Sequence, residues 1–293
     1  RYRSSAASDV YKRQALSLPA ELVGSTALPV RREAAAIGDD AVDAWLSDLL
    51  HPEHARLIVI TSDPPAVVQQ AITRQFADWH PDSEPGARRS IKPAPTERSL
   101  QIQPTDNQHN ALVELGCRID FETIEARTAT DLLAYTLEKQ LWQRLRNESA
   151  QVYSLHVEYD VFPQQTGVLS IMLNTEPEQV GGVLEGVLDE ISSLAGGALT
   201  DEELAASKEQ IARARHLSHR NPSHTLLEFA RDADAGLYLA DVLTWPTRLA
   251  AVSAAEVQQQ ASRCVGTEHA RVRGPEAQIR AAMSGTTLEA ALE

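Results

Sequence analysis

The apolar positions along the chain follow two periodicities, one typical of helices and one typical of strands. The clearest helical stripe covers residues 180–194, where apolar residues recur every three or four positions. The pair Gly196 and Gly197 ends that stripe, and the capping-box spacing between Thr200 and Glu203 predicts the start of the next helix. Other helices are predicted over residues 66–79, 122–146, 200–220, after Pro222, and over 253–264 and 275–283.

Shorter β-like segments separate these helices. Residues 99–103 and 110–119 are predicted to be two strands joined by a polar turn, and residues 152–159 and 167–173 to be a second pair. A late strand is predicted at residues 271–273. Two hairpins, long helices and a late strand are typical of an α+β fold with a mainly antiparallel sheet.

An internal repeat divides the chain. Residues 53–57 read EHARL and residues 268–272 read EHARV, so the two copies lie 215 positions apart. Each copy predicts a helix, a strand and a second helix, and the strand of the first copy is predicted at residues 57–60. This order favours a duplicated domain of roughly 200 residues. We therefore expect residues 15–79 to be the tail of a preceding domain, followed by a complete domain at 98–284 and a tail at 285–293.

Two segments are set apart from these domains. Residues 80–97 carry four prolines among polar residues, which predicts an exposed linker. Residues 1–14 lack an initiator Met and an apolar signal core, and we interpret them as a non-native segment fused to a truncated reading frame. The natural protein is then expected to extend further upstream.

Charge and hydropathy exclude some partners. With 27 basic and 41 acidic residues the formal charge is −14, which argues against nucleic acid, because phosphate binding needs a basic face. No apolar run approaches the roughly 20 residues that cross a bilayer. A soluble protein is expected, and the cytoplasm and the periplasm remain alternatives.

The two cysteines, Cys117 and Cys264, are far apart and lack the CxxC spacing of metal sites. Because cysteine is among the most buried residue types, we expect two buried free thiols rather than a disulfide.

Three stretches resemble segments of the pitrilysin/insulinase-type (M16) zinc metallopeptidases, and together they cover about residues 40–283. They are, in chain order, LLHPEHARLIVITSDPPAVVQQAITRQFADW, LWQRLRNESAQVYSLHVEY and GVLSIMLNTEPEQVGGVLEGVLDEISSLAGGALTDEELAASKEQI. The first is similar to the end of the family's first domain, and the other two are similar to its second domain. The chain thus looks like a C-terminal M16 half.

The resemblance implies an M16 (LuxS/metalloenzyme-like) domain with helices packed on one face of the sheet. In this family two halves close around a chamber, and the N-terminal half binds zinc through an H-x-x-E-H helix. None of the nine histidines begins that motif; the stretch from His51 to His54 is one residue short, and Pro52 would break the helix. We therefore expect no catalytic residue and no metal ligand here, with zinc in an N-terminal half.

The resemblance also implies two substrate-binding residues, Arg146 and Tyr153. In the family an Arg at the end of a helix and a Tyr seven residues later reach the peptide near the scissile bond. A purely structural interpretation is also open, because Arg146 suits a helix C-terminus and Tyr153 alternates with Leu155 and Val157 as in a half-buried strand. The family's glycine after the Arg is absent, since the turn reads Asn-Glu-Ser-Ala-Gln over residues 147–151.

A histidine cluster, His216, His219 and His224, could in principle hold a transition metal. No carboxylate supports it on the helix and arginines flank it, which favours a solvated polar face.

Two functions follow as alternatives. The first is the substrate-binding, zinc-free half of a zinc metalloendopeptidase that cleaves peptides or unfolded segments, inactive as an isolated chain. Its partners would be an N-terminal M16 half, in the same chain or separate, and a peptide substrate, with neither nucleic acid nor membrane. The second is a non-catalytic M16-like scaffold or processing-partner subunit.

Overall fold

The computed structural model describes residues 37–80, 97–105, 109–162 and 165–291 of the chain. The segment interpreted as non-native, residues 1–14, lies outside these ranges, as does nearly all of the linker predicted at 80–97. Both assignments therefore stay predictions.

A five-stranded sheet forms the centre of the molecule, with strand order β1-β5-β2-β4-β3. Every pairing is antiparallel except that of β1 with β5. The strands are β1 (Ser99–Pro104), β2 (Ala111–Arg118), β3 (Val152–Phe162), β4 (Thr166–Thr175) and β5 (His269–Gly274).

Helices make up most of the rest of the described chain. None of the described helices is long and apolar enough to cross a bilayer. The α-helices are α1 (Asp39–Leu49), α2 (Pro65–Phe76), α3 (Ile124–Leu141), α4 (Val180–Ala195), α5 (Asp201–Ser218), α6 (Pro222–Asp234), α7 (Leu239–Leu243), α8 (Trp245–Ala251), α9 (Ala254–Ser262) and α10 (Glu276–Met283). A π-helix (Trp142–Glu148) extends α3, and short 3₁₀ helices lie at Pro52–His54, Pro177–Gln179 and Glu289–Ala291.

The hydrophobic core lies on one face of the sheet. Alternate residues of the central strands, such as Leu115 on β2 and Ile171 on β4, are buried against α3, α4 and α9, whose apolar stripes face them. The neighbouring positions Glu114 and Ser170 point to the opposite face, because successive side chains of a strand alternate. The predicted α+β fold, with a mainly antiparallel sheet and helices on one face, is confirmed.

One of the two predicted hairpins is correct. β3 and β4 form an antiparallel pair, as predicted. The prediction that β1 and β2 pair through the polar turn is wrong, because β5 lies between them and bonds to both, with Leu100 opposite Ala270 and Leu115 opposite the same alanine. A local turn signal could not reveal a strand that arrives from the far end of the chain.

The helix boundaries follow the predicted capping signals. Helix α4 ends at Gly196, and Gly197 has a left-handed φ of 84°. Thr200 Oγ1 accepts a hydrogen bond from the Glu203 amide at 3.2 Å, and the Glu203 carboxylate accepts one from the Thr200 amide at 3.0 Å. The predicted capping box at the start of α5 is confirmed.

Both copies of the repeat form helices, but only the second copy packs into the hydrophobic core. In the second copy α9, β5 and α10 are part of the core, and Val257 and Val272 are fully buried. In the first copy the equivalent residues Val42 and Leu57 are 41% and 57% exposed. The strand predicted at residues 57–60 is not formed, since this stretch pairs with no strand in the described part of the chain.

The two cysteines form a disulfide between β2 and the turn that follows α9. Cys117 and Cys264 are both buried, as predicted, but the prediction of free thiols is wrong. Cys117 points from the core face of β2 towards α9, and the two Cα atoms are 5.3 Å apart, within the usual range for a disulfide. Their separation of 147 residues hid this proximity from the sequence.

Candidate functional site

Arg146 lies on the π-helix that links α3 to β3. Leu145 is buried and fixes this turn to the core, whereas Arg146 is exposed. The Arg146 guanidinium donates one hydrogen bond, from Nη1 to the main-chain oxygen of Val152 at 2.8 Å. No other hydrogen bond of this side chain is found among the described residues, so its other donors face outward. Single-turn π-helices are often found at functional sites.

The neighbouring Arg144 has a different role. Its guanidinium contacts Asp189 at 3.0 Å and Glu190 at 3.5 Å, both on helix α4. Arg144 therefore ties the π-helix to α4, while Arg146 is directed towards the start of β3.

A β-bulge places Tyr153 beside Arg146. Val152 pairs with Thr175 and Ser154 with Asn174, so Tyr153 is an extra residue in the strand. The bulge turns its side chain out of the core: Tyr153 is 52% exposed, but Leu155 only 5%. The interpretation of Tyr153 as part of a regular half-buried alternation is therefore wrong.

The Tyr153 phenol is held by an acidic residue that the sequence did not single out. Its hydroxyl donates to Glu176 Oε1 at 2.7 Å. This hydrogen bond raises the pKa of Tyr153 above its ordinary value, and the Arg146 guanidinium acts in the opposite direction. Glu176 follows β4 directly, and only the pairing of Val152 with Thr175 brings it to the bulge. No sequence pattern marked that register.

The turn between Arg146 and Tyr153 keeps a glycine-like conformation without the glycine. Ala150 has a φ of 53°, in the left-handed region. Ser149 Oγ donates to the main-chain oxygens of Arg144 at 2.9 Å and Leu145 at 3.2 Å, which closes the end of the π-helix. The turn thus forms without the family's glycine, and Ala150 adopts a strained backbone conformation in its place.

Strand β3 forms one edge of the sheet, because it pairs only with β4 among the described strands. The Val157 amide points away from β4 and donates to Glu138 Oε2 at 2.9 Å. Main-chain groups of a strand alternate in direction, so those of Tyr159 and Val161 also face the open edge. Neither residue makes a hydrogen bond on that side within the described ranges.

The described residues do not fit a metal ion. They contain no group of three or more His, Cys, Asp or Glu side chains with suitable geometry. His51 is buried, and its Nδ1 accepts a hydrogen bond from the Glu53 amide at 3.2 Å, next to Pro52. His219 Nε2 lies 2.6 Å from Glu228 Oε2 in an ion-pairing arrangement. Neither histidine stretch resembles a zinc site.

Solved structures with a similar fold include a putative M16-like peptidase, a periplasmic protease and a peptidase M16 inactive domain. A putative M16-like peptidase from Alicyclobacillus acidocaldarius has a TM-score of 0.70 and 14% identity, covering 92% of this chain and 65% of that one. The periplasmic protease PqqL from Escherichia coli has a TM-score of 0.66 and 17% identity, covering 92% and 30%. A peptidase M16 inactive domain from Pseudomonas fluorescens has a TM-score of 0.60 and 19% identity, covering 73% and 52%. The chain thus spans about a third to two thirds of the length of these structures.

The family itself is established by sequence. No curated protein matches the chain significantly. The family model described as the peptidase M16 inactive domain matches residues 37–211, which is more than half of the chain. This match agrees with the sheet and its helical layer. The chain belongs to the peptidase M16 inactive-domain family.

Proposed function

We propose that the chain is the peptide-binding, zinc-free half of a zinc metalloendopeptidase acting on peptides or unfolded segments. The observation that carries this proposal is the position of Arg146 and Tyr153. A π-helix and a β-bulge, two separate irregularities of the backbone, direct these side chains to one exposed place beside the free edge of β3.

The two side chains have complementary chemistry for a peptide group. The unpaired donors of Arg146 can hold a carbonyl oxygen, or the negative charge that develops on it during hydrolysis. The Tyr153 hydroxyl donates its hydrogen bond to Glu176, so the phenol oxygen can accept a hydrogen bond from a peptide N–H. The edge of β3 can add main-chain hydrogen bonds to an extended segment.

In this proposal, zinc bound by a partner half would activate the attacking water. This chain then contributes binding and orientation of the peptide. A partner of this kind is an N-terminal M16 half, either joined to this chain or separate.

The exposed first copy of the repeat supports the domain division. Val42 and Leu57 are exposed where their counterparts Val257 and Val272 are buried by the sheet. Apolar residues exposed in this way mark a face that packs against another element. Residues 15–79 would accordingly pack against the strands of a preceding M16-like domain, and residues 98–284 form the complete one.

Binding of an unfolded polypeptide tests the proposal. With fluorescein-labelled, denatured casein as the probe, Arg146→Ala should weaken binding about tenfold, since a charged hydrogen bond contributes about 1.5 kcal/mol. Tyr153→Phe should weaken it less, because one neutral acceptor is lost. Fluorescence anisotropy of the whole chain measures both.

Arg144→Ala is the matched control. It removes an arginine two residues away whose partners are Asp189 and Glu190, so casein affinity should not change. Equal loss in Arg144→Ala and Arg146→Ala would remove the assignment of Arg146. If the wild-type chain does not bind casein, the non-catalytic scaffold function replaces the peptide-binding function. Chelator-sensitive cleavage of casein by the chain alone would overturn the zinc-free assignment.

A further inference from the structure

A cavity of about 450 Å³ lies between strand β3 and helices α3, α5, α6, α7 and α8. Its size is that of a small-ligand site, and it does not include Arg146 or Tyr153. Seven carboxylates and four arginines line it, so negative charges exceed positive ones by three when His156 is neutral. We call it the acidic cavity.

Two ion pairs hold arginines of the cavity in place. Arg127 on α3 pairs with Asp232 on α6, and Arg215 on α5 pairs with Glu228 on α6. The Arg215 guanidinium also lies 4.1 Å from the centre of the Trp245 ring on α8. Each pair is neutral as a whole, so these two arginines are already compensated by their own carboxylates.

Asp131, one helical turn beyond Arg127 on α3, is a carboxylate that these pairs leave over. It makes no hydrogen bond and no ion pair among the described residues. Burial raises the pKa of Asp131 to about 6, and the opposing attraction of Arg127 does not cancel this effect. The side chain nevertheless keeps part of its surface exposed, and neither of its oxygens is enclosed by the described chain. A ligand in the cavity can therefore contact an uncompensated negative charge.

Apolar side chains form another part of the wall. Ile211 on α5, Leu237 after α6 and Val242 on α7 line the same cavity. An aliphatic stem that ends in a charged group packs its methylene groups on such a surface and keeps its charge at a polar partner. A carboxylate taken out of water is costly unless a donor pairs with it, and a cationic donor pairs most strongly. A neutral ligand would leave Asp131 uncompensated, and an anion would be repelled.

We propose that the acidic cavity binds a guanidinium or primary ammonium group on an aliphatic stem, with the Asp131 carboxylate accepting its hydrogen bonds. The stem packs against Ile211, Leu237 and Val242. This chemistry occurs both in the Arg or Lys side chain of a peptide and in a free alkylguanidine or alkylamine. Only the peptide source rests on the proposed function.

A pair of small probes tests the charge preference with the whole chain. Isothermal titration calorimetry at neutral pH compares n-butylguanidinium with n-butylurea, which has the same shape and no charge. We expect butylguanidinium to bind about tenfold more tightly, since hydrogen bonds between charged groups are stronger than neutral ones. Equal affinity of the two probes, or no binding of butylguanidinium at millimolar concentration, would overturn the proposal.

Two variants that remove the same formal charge locate the preference. Asp131→Asn should erase the preference for butylguanidinium without lowering the melting temperature, because the carboxylate makes no hydrogen bond in the folded chain. Asp78→Asn, at an exposed residue after α2 and outside the cavity, should leave the preference unchanged. Equal loss in both variants would mean that only the net charge of the chain matters. An undiminished preference in Asp131→Asn would show that Asp131 does not bind the cation.

The pH dependence of wild-type binding gives a second measurement that needs no variant. Charged or titratable groups face Asp131 from α3, β3, α5 and α6, and they are Arg127, Tyr159, Arg215, Glu228 and Asp232. Both arginines stay protonated and are held by the two carboxylates, and burial keeps Tyr159 neutral by raising its pKa. Because the cation needs an ionised Asp131, affinity for butylguanidinium should fall about tenfold from pH 7 to pH 5, with butylurea unaffected. Constant affinity for butylguanidinium over this range would exclude Asp131 as its partner.

Two peptides separate the sources of the cation. They are fluorescein-labelled, C-amidated nonapeptides of alternating threonine and valine, with Arg or its neutral isostere citrulline at the central position. Tighter binding of the Arg peptide, with displacement by butylguanidinium, assigns the cavity to a peptide side chain. Equal binding of the two peptides assigns it to a free alkylguanidine or alkylamine.

Arg146→Ala keeps this test apart from that of the proposed function. Arg146 lies outside the cavity, so the variant should weaken casein binding and leave the affinity for butylguanidinium unchanged. If casein binding fails while butylguanidinium still prefers the wild-type chain over Asp131→Asn, the cavity stands and the proposed function fails. The reverse pattern would retain the function and reject the cavity.

Discussion

Three backbone irregularities follow one another between α3 and β3. The π-helix ends at Glu148, Ala150 has a left-handed φ of 53°, and Tyr153 forms the bulge. Each one changes the direction of the side chains that follow, and together they place Arg146 and Tyr153 side by side. The sequence resemblance singled out both residues, but Glu176 was missed because its position depends on pairing between two strands.

The strain at Ala150 leads to a stability prediction. A left-handed conformation costs an alanine about 1–2 kcal/mol, and glycine loses about 0.5–1 kcal/mol of backbone entropy in exchange. Ala150→Gly should therefore raise the free energy of unfolding by about 0.5–1 kcal/mol, measured by urea denaturation.

The control for this change is an alanine in a regular helix. Ala205→Gly, at an exposed position of α5, should lower the free energy of unfolding by about 1 kcal/mol. If Ala150→Gly lowers stability by a similar amount, the turn is not strained by its side chain.

The elements show how far local patterns determine the fold. The stripe at residues 180–194 and the capping box at Thr200 appear as helix α4 and the start of α5, since both depend on neighbours within one or two turns. The placement of β5 between β1 and β2 depends on contacts between distant segments, and no local pattern contains that information. The same holds for the disulfide, which joins residues 147 positions apart.

The disulfide between β2 and the end of α9 should stabilise the domain. A bridge that closes a loop of this length is expected to contribute about 2–4 kcal/mol, so reduction should lower the urea midpoint clearly. Thiol titration in denaturant should find no free cysteine before reduction and two after it.

The double variant Cys117→Ala/Cys264→Ala is the control, and reductant should have no effect on its stability. Two titratable thiols in the unreduced wild-type protein would contradict the disulfide. Because disulfides persist in oxidising compartments, the same titration on protein taken from its natural source would also distinguish the periplasmic from the cytoplasmic alternative.

At the scale of the whole molecule, the two edges of the sheet are unlike. β1 is the edge beside β5, whereas β3 is the opposite edge, starts beside Arg146 and carries Tyr153. The fold class and the two candidate residues followed from the sequence, but the position of β3 at an edge of the sheet followed only from the strand order. We therefore expect the peptide to lie along β3.

Hydrogen exchange of the whole chain, with and without denatured casein, locates the peptide most directly. We predict slower exchange of the outward-facing amides of Leu155, Tyr159 and Val161 and no change along β1. This protection should be lost in Arg146→Ala. Protection along β1, or casein binding without any change in β3, would contradict it.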